Sequence, residues 1–289
     1  MEVSLIKPQG FCSGVKKAVS IAEKAKEENP GKNVYVLGML AHNQTLINDL
    51  SKQGIITLSD ENEEKSIKGL KPGDVIIFTA HGHDSKIENL AKQHGLIIYD
   101  ATCFKVKSNL DKIRDEISSG HQVIYIGQKG HKETNAALSV SKNVSLYDTQ
   151  LLINYQLITD INPYVVNQTT LNFFELSRFH DDILKHIPGA RIENEICAAT
   201  RLRQEAVTKI DQDTDLIVVV GHPKSSNSNK LFDIAKSNYK DSQVLMVSDL
   251  EELVSHSKLL ESKKKAAVVS GASTPQYVVD EIYNYLINK

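Results

Sequence analysis

Three cysteines stand far apart in the chain: Cys12 in QGFCSGV, Cys103 in DATCFKV and Cys197 in ENEICAAT. Cys12 and Cys103 fall between a short apolar run and a helix-like one, and Cys197 sits just ahead of the helical RLRQEAVTKI. At such a junction the positive end of a helix dipole and its open backbone N–H groups stabilise a thiolate. One such cysteine is as readily an inert apolar residue of the interior; three in like positions point to a shared task. No CxxC occurs, which removes a thioredoxin-type pair and makes an ordinary zinc finger a poor fit. An odd count, with no export signal in MEVSLIKPQG, predicts a reducing cytoplasm and free or metal-bound thiols. Three thiolates meeting at one point suit zinc with a fourth external ligand. They equally suit an iron–sulfur cluster with one iron lacking a protein ligand, and thiolate ligation alone does not separate the two.

A second set of residues suits an anion. His42 in GMLAHNQT, His81 in FTAHGHD and His131 in GQKGHKET occupy loops after apolar runs, where imidazoles donate to phosphate oxygens or carry protons. Seven further histidines show how often the same side chain serves structure alone. Ser225, Ser226 and Asn227 in HPKSSNSNK lie between a strand-like run and a helix-like one, where side-chain donors and backbone N–H groups converge on a phosphate or diphosphate. The bland alternative is a helix cap. SGASTP repeats the pattern with Ser273. Glu133 follows His131 by two residues and is either a dipole partner of a helix start or, in a closed pocket, a proton donor. Thr169 in VNQTTLN can orient that carboxyl or a substrate.

Positioning these loops falls to elements that alternate along nearly the whole chain. VSLIKP, NVYVLGML, VIIFTAHG, LIIYDATC, VIYIGQKGH, YVVNQTT, LIVVVGHPKSS and AAVVSGAS read as strands, each followed by an amphipathic helical stretch. Apolar strands without alternation are buried on both faces, so the fold class is α/β with parallel sheets, and ligands sit beyond the strands' carboxyl ends. The intervals between the cysteines, 91 and 94 residues, each accommodate one small α/β unit. The expected division is 13–102, 103–196 and 197–289, the last completed by the N-terminal strand within 1–12. Identity between the intervals is negligible, so the repeat is one of spacing and context.

With 289 residues, 40 % hydrophobic and 24 % charged, the chain is globular and long enough for two or three domains. A net charge of −2 and the lack of a basic patch give no pull toward nucleic acid. No apolar run approaches the roughly 20 residues that span a bilayer, so no membrane partner is expected. Neither GxxxxGK[ST] nor GxGxxG occurs, and nucleotide binding is not indicated.

QGFCSGV, LAHN, TAHG, DATC, GHKE, NQTTL, EICAAT, SSNSN and SGAS, in this order, resemble the 4-hydroxy-3-methylbut-2-enyl diphosphate reductases, which close the non-mevalonate isoprenoid pathway. The resemblance runs from residue 9 to about residue 275 and rests on the order and spacing of the set. It implies three α/β domains in pseudo-threefold arrangement around a central cavity holding a [4Fe–4S] cluster. Cys12, Cys103 and Cys197 would bind three irons and leave the fourth open for the substrate. His42, His81, His131, Ser225, Ser226, Asn227 and Ser273 match positions that hold the diphosphate. Glu133 matches the proton donor, and Thr169 a residue at the substrate alcohol. The implied reaction is reductive dehydroxylation, with a small ferredoxin or flavodoxin as electron donor. Phe104, Lys132 and Ala136 depart from residues frequent in the family, proline, proline and glycine, and GHPKSSN differs from the commoner lead into SSN; none removes a matched ligand. Read without the resemblance, the residues also allow a zinc-dependent hydrolase of a phosphorylated metabolite, with Glu133 as base, or a non-catalytic redox or iron sensor.

Overall fold

Apolar, β-branched runs that do not alternate become strands covered on both faces, and here they build three parallel sheets of four strands. The computed structural model describes residues 1–151, 153–193 and 196–289. The chain opens with β1 (Glu2–Leu5) and α1 (Ser13–Glu28). A first sheet comes from β2 (Val34–Leu37), α2 (Gln44–Lys52), β3 (Ile55–Leu58), α3 (Glu63–Lys68), β4 (Val75–Phe78), α4 (Ser85–Gln93) and β5 (Ile97–Asp100); its order is β3–β2–β4–β5. After α5 (Phe104–Ser118), a second sheet comes from β6 (Val123–Gly127), α6 (Lys132–Ser139), β7 (Val144–Asp148), β8 (Tyr164–Asn167), α7 (Phe173–His186) and β9 (Arg191–Ile192), ordered β7–β6–β8–β9.

The rest of the chain is α8 (Ala198–Val207), β10 (Leu216–Val220), α9 (Ser226–Asn238), β11 (Gln243–Val247), α10 (Leu250–Ser255), α11 (Ser257–Leu260), β12 (Lys265–Ser270) and α12 (Gln276–Ile287). Here β1 returns as an edge strand, giving the order β1–β12–β10–β11, with Glu2 opposite Lys265 and Leu5 opposite Val268. All the strand pairings in the three sheets are parallel.

Two compact units result. Residues 1–15, 41–49 and 198–289 carry the sheet that contains β1; residues 16–40 and 50–197 carry the other two. VIIF of β4, YVVN of β8 and LIVVV of β10, all middle strands, are buried throughout. On one face of the sheet containing β1, Val218, Val220 and Val268 pack with Val279 and Ile282 of α12; on the other, Val219 and Ala267 pack with Leu231 and Ile234 of α9. Each fully buried side chain of this kind contributes about 1.5–3 kcal/mol, which makes the sheets stiff supports for the loops at their ends. Among the described residues, no helix is long and apolar enough to cross a membrane.

Candidate active site

Every candidate residue falls in a loop or helix start just past a strand's carboxyl end: Cys12 after β1, His42 after β2, His81 after β4 and Cys103 after β5. His131 and Glu133 follow β6, Thr169 follows β8, Cys197 follows β9, residues 225–227 follow β10 and Ser273 follows β12. Cys12, His42, Ser225, Ser226, Asn227 and Ser273 belong to the unit with the β1 sheet; the others belong to the second unit.

In the first of these units Ser225 caps α9, its hydroxyl accepting from the Ser228 N–H at 3.3 Å. The Ser273 hydroxyl lies 3.4 Å from that of Ser225 and donates to the His42 carbonyl at 3.3 Å. A Cβ on Gly221 or Gly271 would come within 2.2 or 2.3 Å of the Ser228 hydroxyl oxygen, so the ends of β10 and β12 close on the first turn of α9 only because both residues are glycine. Asn227 lies in that turn with 4 % of its surface exposed, and neither its amide nitrogen nor its oxygen has a hydrogen-bond partner. Leaving a buried polar group unpaired costs about 1–3 kcal/mol. Beside a helix N-terminus, an anion would satisfy the amide nitrogen. Asn227→Ala or Ser225→Ala is therefore expected to weaken inorganic diphosphate about ten-fold in calorimetry, the size of one lost hydrogen bond; unchanged affinity would remove the anion role of this loop.

In the second unit His131 caps α6, its Nδ1 accepting from the Glu133 N–H at 3.2 Å. That bond puts the ring proton of a neutral imidazole on Nε2, as a donor. The His81 ring stands edge-on to His131, with centroids 6.1 Å apart and planes at 88°. Glu133 occupies the first turn of α6 with 3 % exposure. Both donors of Thr169 reach it at 2.9 Å, the N–H to Oε1 and the hydroxyl to Oε2. Burial pushes the Glu133 carboxyl up to about 7, while the Thr169 bonds favour its ionised form and hold the rise in check. Tyr125, buried beside it on β6, also steadies the charge, although its hydroxyl makes no hydrogen bond of ordinary geometry. A carboxyl that titrates near neutrality and is oriented by two donors can hold a proton and give it up.

The three thiols share one local design. Cys12 directly precedes α1, and the Val15 N–H points to its Sγ at 3.5 Å. Its own N–H donates to the Ala272 carbonyl at 3.0 Å, tying this loop to SGAS. The buried guanidinium of Arg203 holds the preceding turn by donating to the Gly10 carbonyl at 2.6 Å and to the Ala199 carbonyl at 3.0 Å. Cys103 is the N-cap residue of α5 and makes no side-chain cap bond; Cys197 directly precedes α8. All three are half-buried and free of disulfides. Three soft sulfur donors at helix starts fit iron–sulfur or zinc ligation and do not fit a hard oxygen-seeking cation. Among the described residues no three or more His, Cys, Asp or Glu side chains form a group placed to hold a metal ion, Cys12 lying in one unit and Cys103 and Cys197 in the other.

Sequence reasoning did not single out Arg203, which reads as a surface residue of an amphipathic helix, or Tyr125, which reads as sheet core. The packing glycines 221 and 271 carry no signal beyond their position after a strand.

Fold and loops together define an α/β protein with thiols at helix starts, a cradle suited to an anion and a buried carboxyl that titrates near neutrality. The chain belongs to the LytB family, whose family model, described as LytB protein, matches residues 3–287. It is 38 % identical over 289 residues to a 4-hydroxy-3-methylbut-2-enyl diphosphate reductase of Brevibacillus brevis, covering 99 % of this chain and 91 % of that one. The corresponding reductase of Macrococcus caseolyticus is 36 % identical over 290 residues, covering 99 % and 89 %. Among solved structures, the E-1-hydroxy-2-methyl-but-2-enyl-4-diphosphate reductase from Plasmodium falciparum superposes with a TM-score of 0.86 at 26 % identity, covering 98 % of this chain and 87 % of that one. A second, titled as the terminal enzyme of the non-mevalonate pathway, gives a TM-score of 0.69 at 27 % identity, covering 100 % and 99 %.

Proposed function

We propose that this chain reductively dehydroxylates (E)-4-hydroxy-3-methylbut-2-enyl diphosphate to isopentenyl diphosphate and dimethylallyl diphosphate. The observation that carries the mechanism is Glu133: a buried carboxyl that titrates near neutrality, oriented by both donors of Thr169. In the net reaction one carbon–oxygen bond breaks, two electrons and two protons enter, and the oxygen leaves as water. Hydroxide is a poor leaving group, so a proton delivered to that oxygen lowers the barrier, and Glu133 is assigned that proton. Thr169 keeps the carboxyl aimed and is assigned to the same alcohol.

His42, His81, His131, Ser225, Ser226, Asn227 and Ser273 are assigned to the diphosphate, whose charge they and the start of α9 offset. Fixing the reacting atoms in this way is worth on the order of 7–11 kcal/mol in well-oriented systems. Cys12, Cys103 and Cys197 are assigned as ligands to three irons of a [4Fe–4S] cluster. When bound, that cluster supplies electrons singly and an open, Lewis-acidic iron. A small ferredoxin or flavodoxin is the proposed donor, and thiols without disulfides favour a reducing cytoplasm as the setting. The proposal includes three sheet-centred domains, 13–102, 103–196 and 197–289 with 1–12.

The test is an anaerobic titration of purified, iron-reconstituted protein with the allylic alcohol diphosphate, followed by visible and electron paramagnetic spectra. The expected result is a saturable change at one equivalent per chain and, with a reductant, both five-carbon diphosphates. Protein that takes up iron and acid-labile sulfide yet shows neither would sink the assignment.

A further inference from the structure

We infer that Lys132 is a positioning residue: a clamp that fixes the first turn of α6, and with it the flanking His131 and Glu133, against the β2–α3 side of the first sheet. The inference rests on the reading of His131 as a diphosphate donor. Lys132 is the first residue of α6, where the helix dipole disfavours a cation. Three acceptors from outside the helix offset that placement. Its Nζ lies 2.8 Å from Asp60 Oδ2 and 3.3 Å from Glu63 Oε1, and it donates to the Leu37 carbonyl at 3.3 Å. Leu37 ends β2, Glu63 opens α3 and Asp60 sits in the turn between β3 and α3, so one ammonium draws together pieces of the first sheet and the helix that bears Glu133.

The recess is shaped for it. Gly38 has φ +84°, and a Cβ there would meet Lys132 Nζ at 2.6 Å and Asp60 Oδ2 at 2.7 Å. A side chain at position 38 would strain the turn and displace the pair. The Lys132 side chain is 19 % exposed, against 38 % for Asp60 and 24 % for Glu63, so the ammonium end of the pair is the shielded one. Two further contacts lie along the same seam. The His81 ring meets His131 edge-on, and a Cβ on Gly82 would come 3.3 Å from the Ala136 Cβ. The seam therefore sets the spacing of two imidazoles assigned to one anion. An error of about 1 Å in such a placement can cost on the order of 100-fold.

Cluster-loaded protein distinguishes a clamp from a direct ligand through two variants that break the same pair from opposite sides. Lys132→Met keeps the stem and removes the charge; the double variant Asp60→Asn, Glu63→Gln keeps the charge and removes the two carboxylates paired with it. Affinity for inorganic diphosphate by anaerobic calorimetry, and the KM for the allylic diphosphate, are expected to weaken about ten-fold in both. Lys132→Arg should restore most of the loss. A lysine that bound the diphosphate itself would bind it more tightly once released, so tighter binding by the double variant overturns the clamp. Parent-like affinity in Lys132→Met, beside a weakened His131→Ala control, overturns the clamp alone. An unweakened His131→Ala overturns the reading beneath it, and the clamp with it.

Discussion

Exchanging Glu133 for glutamine is expected to keep substrate binding and lower turnover by about 10²–10⁴-fold, the usual worth of a positioned acid. Glutamine retains the shape: its oxygen can still accept from the Thr169 N–H, and its amide can donate to the Thr169 hydroxyl in place of the bond that hydroxyl now makes. Calorimetry with the diphosphate substrate should therefore move little while single-turnover rates collapse, and near-normal turnover would remove the proton role. The protonated form is the active one in this scheme, so parent turnover should decline as pH rises through about 7. Stability supplies an independent reading of the same group. Below about pH 4.5 the carboxyl is protonated in both the folded and the unfolded chain. Between 4.5 and about 7 the unfolded chain gives up its proton first, so the parent loses stability as pH rises, by about 3 kcal/mol in all. Glutamine cannot ionise. The variant should melt above the parent at pH 8 by more than at pH 4, and an unchanged difference in melting temperature would count against the raised carboxyl.

Replacing Cys103 with serine is expected to abolish the brown absorbance of reconstituted protein and its activity, with iron falling well below four per chain. The substitution is informative because the helix does not need the sulfur. Cys103 caps α5 without a side-chain capping bond, and serine is among the best residues at that position, so the variant should fold at least as well as the parent. Loss of iron then reports ligation and not unfolding. Circular dichroism and the melting curve of the unloaded protein check this directly. A Cys103→Ser protein with full iron content and turnover would refute the ligand assignment.

The middle strands and the loops after them were legible because burial on both faces demands uninterrupted apolar residues, as in VIIF, VIYIG, YVVN and LIVVV. The strands that escaped notice, β3, β7, β9 and β11, are all sheet edges. IITL, VSLYD and QVLMV mix exposed or half-buried positions with buried ones, and RI has no buried position, so the uninterrupted apolar signal is lost. Helix α8 starts at Ala198, directly after Cys197, where periodicity alone marks only the stretch from RLRQ onward. The pairing of Thr169 with Glu133 joins residues 36 apart in sequence, and the residue types raise it only as a possibility; both bonds come from the way β6 and β8 lie side by side. Lys132 was visible only as a departure from a frequent proline. Its three acceptors sit 69 to 95 positions away, on elements that local pattern cannot bring together.

The pairing of β1 with β12 has a consequence for how the protein is made. Glu2 waits for Lys265, and at the usual 5–20 residues per second a ribosome needs on the order of tens of seconds to supply it. Until then the β1 segment, EVSL, has no partner strand, and residues 16–40 and 50–197 are synthesised in full before Lys265 is reached. Until β12 is made, the β1 segment should accordingly stay open to pairing with other chains, although it is the first of the four strands of its sheet to be synthesised.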